Sequence, residues 1–191
     1  MTDKSITNIV WQAIIGELKM RKLILIGLVL FSMFCAGLPA NCQTVEQAKK
    51  AQVQRALATS DGVKIKAAVN KYSKMYGVEP ALVHAIILTE SGYNRTATSS
   101  GGCKGLMQLA PATFRARGVG SDIYNIDHNV HAGTKHIAGL LAAYKGDVSH
   151  ALAAYNAGGG NIKRGKPLRR YGQAYVNKVM YNKRIVQQVA I

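Results

Sequence analysis

The sequence is short of acidic residues, with 9 Asp and Glu against 25 Lys and Arg among its 191 residues and a formal net charge of +16. A chain this basic concentrates on polyanions such as nucleic acid, anionic lipid or an acidic cell-wall polymer, and charge alone does not select one of them. The shortage also leaves few carboxylates from which a site that needs two of them could be built.

Other patterns are missing as well. No sustained alternation of apolar and polar residues predicts strands, and there is no long repeat. No group of Cys and His has metal-ligand spacing, so we expect no metal site. The five histidines are interpreted as packing or surface residues, because no Ser or Cys nucleophile has an evident His partner. Cys42 and Cys103 either pair in an oxidising compartment or stay as thiols.

One long apolar run is present, from Leu23 to Ala40, and it follows the cations Lys19, Arg21 and Lys22. This order is typical of a secretory signal peptide or a single membrane anchor. We therefore expect export to the periplasm or cell envelope, with inner-membrane association through residues 23–40 if the segment is not cleaved. Export weighs against nucleic acid as a partner. The predicted parts are a signal or anchor (1–42), a linker or peripheral helix (43–60) and a folded domain (61–191).

The exported part reads as an all-α domain of short helices. Helical spacing places Val63, Val69 and Tyr72 on one face of the first of these helices, and Gly77 ends it. Asp127 and Asp147 are expected to cap two later helices. Residues 93–109 are rich in Gly, Ser, Thr and Asn and predict a long, functional loop. The predicted helices are Asp61–Tyr76, Pro80–Glu90, Pro111–Arg117, Asp127–Tyr144, Asp147–Asn156 and Tyr171–Gln188.

Glu90 stands out because it ends a helix that is apolar nearly all round. Such a helix is normally buried, so the carboxylate is partly desolvated at the negative end of the helix dipole. Both effects penalise the ionised form and raise the pKa. A proton held near neutral pH is what a general acid needs.

Four separated segments together resemble the lysozyme-like lytic transglycosylases of the soluble transglycosylase family. The segments are Glu90-Ser91-Gly92-Tyr93-Asn94, then Ser99 with Gly102 to Leu109, then Ala153 to Gly158, and finally Tyr175-Val176. The resemblance implies the family's lysozyme-like fold, no cofactor, and a peptidoglycan glycan strand as substrate. The similar proteins cut the β-1,4 bond between N-acetylmuramic acid and N-acetylglucosamine and leave a 1,6-anhydro ring.

The resemblance also implies the site. Glu90 matches the family's sole catalytic acid and base. The other matched residues occupy positions that line the sugar groove or orient the Glu, except Met107, which matches a position that packs beside the groove. These substrate-binding candidates are Ser91, Ser99, Met107, Gln108, Tyr155, Asn156 and Tyr175. The sequence departs from the family pattern at Cys103-Lys104, at Ala110 and at Tyr171-Gly172.

Glycoside cleavage usually uses two carboxylates, but no second acid accompanies the motifs, which fits a mechanism with Glu90 alone. Two alternatives stay open. A lysozyme-type muramidase would need a positioned water, for which Asp122 or Asp127 are the candidates. A non-catalytic wall-binding protein of a secretion apparatus would use the same fold without chemistry. In each case a monomer is expected.

Overall fold

The structure is a computed structural model that describes residues 40–158, 162, 168 and 170–189. The chain separates into two units, residues 1–46 and 47–191. Of the first unit only residues 40–46 are described, and they belong to the first helix. The predicted signal or anchor segment lies outside the described residues. No helix within the described part is long and apolar enough to span a membrane.

The described residues form seven helices and no named strand, which confirms the all-α prediction. The helices are α1 (Ala40–Leu57), α2 (Ser60–Tyr76), α3 (Pro80–Glu90), α4 (Pro111–Arg117), α5 (Ile126–Ala143), α6 (Val148–Ala157) and α7 (Arg170–Gln188). Most of residues 43–60 belong to α1, and Val53 on this helix is fully buried.

The boundaries of α2 and α3 follow from their sequences. The Thr59 side chain caps α2 by accepting a hydrogen bond from the Gly62 backbone N–H, and Gly77 ends it in the left-handed conformation. Pro80 begins α3 at a position where a missing N–H costs nothing. The face of α2 was predicted wrongly at Val63, which is 62% exposed, because Ile65 occupies the core on that helix.

The buried helix α3 lies at the centre of the second unit. Residues 82–88 are all buried, and the helix packs against α2 on one side and α7 on the other. In turn α5 packs against α2, α4 and α6, and α6 packs against α7. A helix buried on all sides holds its C-terminal residue at one fixed point, and that residue is Glu90.

The later helices confirm one predicted cap and correct another. The Asp147 carboxylate accepts a hydrogen bond from the His150 backbone N–H and caps α6, as expected. The cap of α5 is Asn125, not Asp127, since the Asn125 side chain accepts from the His128 N–H. Asp127 lies in the first turn instead and accepts a 2.6 Å hydrogen bond from the Tyr72 hydroxyl.

Residues 91–110 connect α3 to α4 as the predicted loop. Its turns are closed by backbone hydrogen bonds, including the reciprocal pair between Lys104 and Leu109. The buried side chain of Asn129, on α5, holds this loop from beneath. Its amide oxygen accepts from the Met107 N–H, and its amide nitrogen donates to the carbonyls of Lys104 and Ile123. One side chain on α5 therefore anchors residues 104–107 of the loop and joins them to Ile123.

Candidate active site

The Glu90 carboxylate emerges half-buried from the last turn of α3. The Tyr175 hydroxyl, from α7, donates a 2.5 Å hydrogen bond to its Oε1 atom. Burial raises the pKa of Glu90 above its ordinary value, while the Tyr175 hydrogen bond and the nearby Lys178 ammonium act in the opposite direction. The net shift is upward, as expected from the sequence, because desolvation is the largest of the three effects.

A second contact joins α3 to α7 one residue earlier. The Thr89 hydroxyl donates to the Ala85 carbonyl and accepts a 2.8 Å hydrogen bond from Nδ2 of Asn182. Asn182 is fully buried, so this bond is shielded from water. It fixes α7 along α3 and thereby fixes the distance from Tyr175 to Glu90.

Two cavities meet at Glu90. The larger has a volume of about 580 Å³, and among the described residues Glu90 is its only carboxylate. The smaller, of about 320 Å³, is lined by Thr89, Glu90, Asn156, Ala174, Tyr175 and Lys178. Glu90 and Asn156 line both. We call the larger cavity the groove and the smaller one the side cavity.

Gln108 and Ser99 form the loop wall of the groove. Gln108 has φ of +46°, unusual for a residue with a side chain, and its Nε2 donates to the carbonyls of Ala97 (3.0 Å) and Gly105 (2.9 Å). Both amide hydrogens are therefore used within the loop, which leaves the amide oxygen as an acceptor for a ligand. The Ser99 hydroxyl accepts from the Cys103 N–H and can still donate its own hydrogen.

The opposite wall carries Tyr155 and Asn156 from α6. The Tyr155 hydroxyl donates to the Met107 carbonyl at 2.8 Å, and burial and Glu90 keep its pKa well above the usual range, so it stays a neutral phenol. The Asn156 amide oxygen is buried and has no hydrogen-bond partner among the described residues. An unsatisfied buried acceptor beside Glu90 is suited to a donor brought by a ligand.

Ser91 and Met107 do not line the groove. The Ser91 hydroxyl is bonded to the carbonyls of Ile87 and Leu106, so it ties the end of α3 to the loop. The Met107 side chain is fully buried and packs on Gly133 of α5. The structure thus brings Ser99, Gln108, Tyr155, Asn156 and Tyr175 around Glu90, and leaves the half-buried Ser91 and the fully buried Met107 outside the groove lining.

The family model described as "Transglycosylase SLT domain" matches residues 67–176, more than half of the chain. The chain belongs to the transglycosylase SLT domain family. The match begins within α2 and ends within α7, and it includes Glu90, Ser99, Gln108, Tyr155, Asn156 and Tyr175.

Curated relatives of this SLT domain include a protein named transglycosylase from Enterobacteria phage PRD1, 37% identical over 110 residues, or 58% of this chain and 39% of the relative. A second is named membrane-bound lytic murein transglycosylase C, from Serratia proteamaculans, 34% identical over 113 residues, or 50% of this chain and 32% of that protein. The chain thus spans less than two-fifths of either relative's length.

Solved structures agree on the fold. The SLT domain superposes on an inactive mutant of the lytic transglycosylase Slt from Pseudomonas aeruginosa with a TM-score of 0.58 and 25% identity, over 64% of this chain and 24% of that one. The 70 kDa soluble lytic transglycosylase from Escherichia coli gives a TM-score of 0.56 at 20% identity, over 64% of this chain and 24% of that one, and supports the fold alone. The lysozyme-like prediction is confirmed.

One residue of the SLT-domain groove was missed from sequence. His136, expected to be a packing or surface histidine, lines the groove with its ring 5.2 Å from that of Tyr155. Burial, followed by the nearby Arg117, lowers its pKa to about 4, so the imidazole is neutral at neutral pH. Its place in the sequence, on one face of α5, gave no sign that α6 would bring Tyr155 alongside.

The acids named for a hydrolase lie elsewhere in the SLT domain. Asp122 and Asp127 line a separate cavity together with Lys64, Lys71 and Arg95. Among the described side chains Cys103 is a free, half-buried cysteine in the groove wall. The Cys42 side chain lies outside that set, so both alternatives, a disulfide or two thiols, stay open. No group of three or more metal-ligating side chains occurs in the described part of the chain.

Proposed function

We propose that this chain is a peptidoglycan lytic transglycosylase that cuts the β-1,4 bond between N-acetylmuramic acid and N-acetylglucosamine without adding water. The observation that carries the proposal is that Glu90 is the only carboxylate among the described residues lining the groove, and that burial raises its pKa. A groove with one acid is suited to a reaction in which the same group gives and later takes a proton. The relatives' names point the same way.

In the first step Glu90 acts as an acid. Tyr175 occupies Oε1, so the acidic proton resides on Oε2, and this oxygen protonates the glycosidic oxygen. The bond from that oxygen to the anomeric carbon breaks, and the N-acetylglucosamine side leaves as an alcohol. The carbonyl oxygen of the muramic acid's own acetamido group stabilises the cation that develops, in place of a second carboxylate.

In the second step Glu90 acts as a base. Its carboxylate, held by the Tyr175 hydrogen bond, takes the proton of the sugar's 6-hydroxyl, and the oxygen closes on the anomeric carbon to form the 1,6-anhydro ring. Glu90 ends protonated, as it began, and no water enters the products. Asn156 and Gln108 offer amide oxygens to sugar N–H and hydroxyl groups, and the Tyr155 ring offers an aromatic face.

The test compares the activity of variants that each lose one carboxylate, either inside the groove or outside it. Glu90→Gln removes the acid with little change of shape and is expected to abolish release of soluble fragments from purified sacculi. Asp122→Asn and Asp127→Asn remove one charge each outside the groove and should retain activity. If Glu90→Gln still digests sacculi, the proposed role of Glu90 is wrong. If Asp122→Asn or Asp127→Asn loses activity, a second acid takes part and a two-acid hydrolase is favoured. Binding of sacculi by wild-type protein without release of fragments would favour the wall-binding protein.

Localisation is part of the proposal. The cationic residues before the apolar run at residues 23–40 support export to the cell envelope, with that segment as signal or anchor. We expect a monomer that works on glycan strands and not on nucleic acid. Cell fractionation, with the N-terminus of the exported protein sequenced, tests both export and cleavage.

A further inference from the structure

The side cavity differs from the groove in its charge. The described residues that line the groove include no Lys or Arg, and its His136 is neutral at neutral pH. Of the described residues that line the side cavity, Lys178 is the only cation. Among the described residues, Lys178 is therefore the one charged cation that lines either of the two cavities at Glu90.

Lys178 is oriented by its helix. It follows Tyr175 by three residues on α7, so both side chains lie on the same face, towards the end of α3. Its Nζ lies 3.5 Å from the Thr89 carbonyl oxygen, at the edge of hydrogen-bond distance. The ammonium is thus held beside the Glu90 carboxylate by α3 itself.

The Lys178 ammonium forms no ion pair with a described carboxylate. Lys71, Arg95 and Lys183 each pair with a carboxylate, whereas Lys178 has no carboxylate within 4.0 Å among the described residues. Its side chain is exposed, so a ligand can reach it. An ammonium with hydrogens to donate, next to a cavity, attracts an anionic group of a ligand.

We propose that Lys178 recognises a carboxylate carried by the sugar strand next to the cleaved bond, and so selects acidic strands over neutral ones. The inference rests on the proposed function, because the sugar rings of peptidoglycan are neutral and its charge lies on the muramic acid substituent. That carboxylate belongs either to the lactyl group of a strand without peptides or to the peptide attached to it. The neutral groove receives the sugars, and the side cavity receives the acidic substituent.

The test compares Lys178→Met with the wild type on three soluble strands: peptide-bearing, peptide-free with a free lactyl carboxylate, and peptide-free with that carboxylate amidated. We expect the ratio of kcat/KM for a charged strand over the amidated strand to fall roughly fivefold, mostly through KM, as for a solvent-exposed ion pair. Lys178→Arg should restore it, and salt should weaken it. Lys74→Met, an equal charge removal on an exposed position of α2, should leave the ratio as in the wild type.

The three strands distinguish a contact to the peptide carboxylate from a contact to the lactyl carboxylate, and distinguish both from an effect of Lys178 on Glu90. A ratio that falls only for the peptide-bearing strand assigns the contact to the peptide, and one that falls for the peptide-free strand assigns it to the lactyl group. An equal loss on charged and amidated strands would overturn the proposal, since Lys178 would then act on Glu90 alone.

Binding of the same strands to Glu90→Gln, with and without Lys178→Met, gives a readout that needs no catalysis. If the wild type cuts no strand but charged strands bind more weakly without Lys178, the proposed function fails and this inference stands. If the affinity depends neither on Lys178 nor on the charge of the strand, the inference fails whether or not the wild type is active.

Discussion

The Tyr175 hydroxyl donates a 2.5 Å hydrogen bond to Oε1 of Glu90 across 85 residues of sequence. This contact joins the last turn of α3 to α7 and leaves the second carboxylate oxygen as the atom that can face a substrate. A hydrogen bond to the charged form of a carboxyl group lowers its pKa, so Tyr175 partly offsets the upward shift caused by burial. The pair therefore sets both the position of the proton and the pH range over which it is held.

Replacing Tyr175 with Phe should lower kcat by about tenfold, the effect of losing one hydrogen bond to a charged group. Since this bond lowers the pKa of Glu90, its loss raises that pKa, and the alkaline limb of the kcat/KM profile should move to higher pH. The pH profiles of the two proteins check this. Tyr144→Phe is the control, because it also removes a hydroxyl that donates a hydrogen bond, here to the Ile162 carbonyl, outside both cavities. A limb that stays in place or moves down would contradict the role given to Tyr175.

Removing the Asn129 side chain should loosen the loop that carries Gln108 and Ser99. Asn129→Ala breaks three hydrogen bonds to buried or partly buried backbone groups, so we expect a loss of about 2–4 kcal/mol in the free energy of unfolding. Urea denaturation measures the loss, and hydrogen exchange of the Met107 amide should report the loosened loop. Asn125→Ala, which removes only a helix cap on the same helix, should cost about 1 kcal/mol. Equal losses in the two variants would show that Asn129 does not hold the loop.

Two glycines of α5 should respond to alanine with opposite signs. A Cβ at Gly133 would lie 2.2 Å from the Met107 Sδ atom, so Gly133→Ala overpacks the site beneath the groove and should cost about 1–3 kcal/mol. A Cβ at the exposed Gly139 meets only Arg117, at 4.0 Å, and Gly139→Ala should gain about 0.5–1 kcal/mol from helix propensity. Thermal unfolding of both variants tests the pair. A stabilised Gly133→Ala protein would mean that Met107 does not pack there.

The stability of the fold should fall as the solution is acidified from pH 6.5 towards 4. His84 is fully buried, and burial lowers its pKa from 6.5 to about 4. Between pH 6.5 and 4 the unfolded chain therefore binds a proton at His84 that the folded chain does not bind. The free energy of unfolding is unaffected by His84 above pH 6.5 and falls below it, by at most about 1.4 kcal/mol per pH unit. His84→Gln is less stable at neutral pH through lost packing, but its stability should depend less on pH in this window. Unfolding measured at several pH values checks the difference, and identical slopes would contradict it.

Local signals in the sequence were enough to predict most helices. Gly77, Pro80 and Gly118 mark helix ends through backbone conformations that neighbouring residues do not alter, and the observed ends agree. The apolar residues of α3 predicted its burial, and with it the raised pKa of Glu90. These inferences succeeded because each depends on residues close together in the chain.

Inferences that depend on contacts between distant segments were less successful. Helical spacing gives a set of faces but does not say which neighbour covers each one, so Val63 was placed inwards and His136 was left out of the groove. Met107 and Ser91 lie in motifs beside the groove, yet Met107 packs on Gly133 and Ser91 donates to the Leu106 carbonyl. The Asn129 support for the loop could not be read from its position in α5.

The mass of the fragments released from purified sacculi tests the central claim most directly, namely that Glu90 alone serves as acid and then as base. We predict fragments whose muramic acid ends carry the 1,6-anhydro ring, one water lighter than reducing ends, and none of them from Glu90→Gln. Fragments with ordinary reducing ends and no anhydro ends would contradict the account. Such ends form only when water adds to the anomeric carbon, whereas in the proposed reaction the sugar's own 6-hydroxyl adds there.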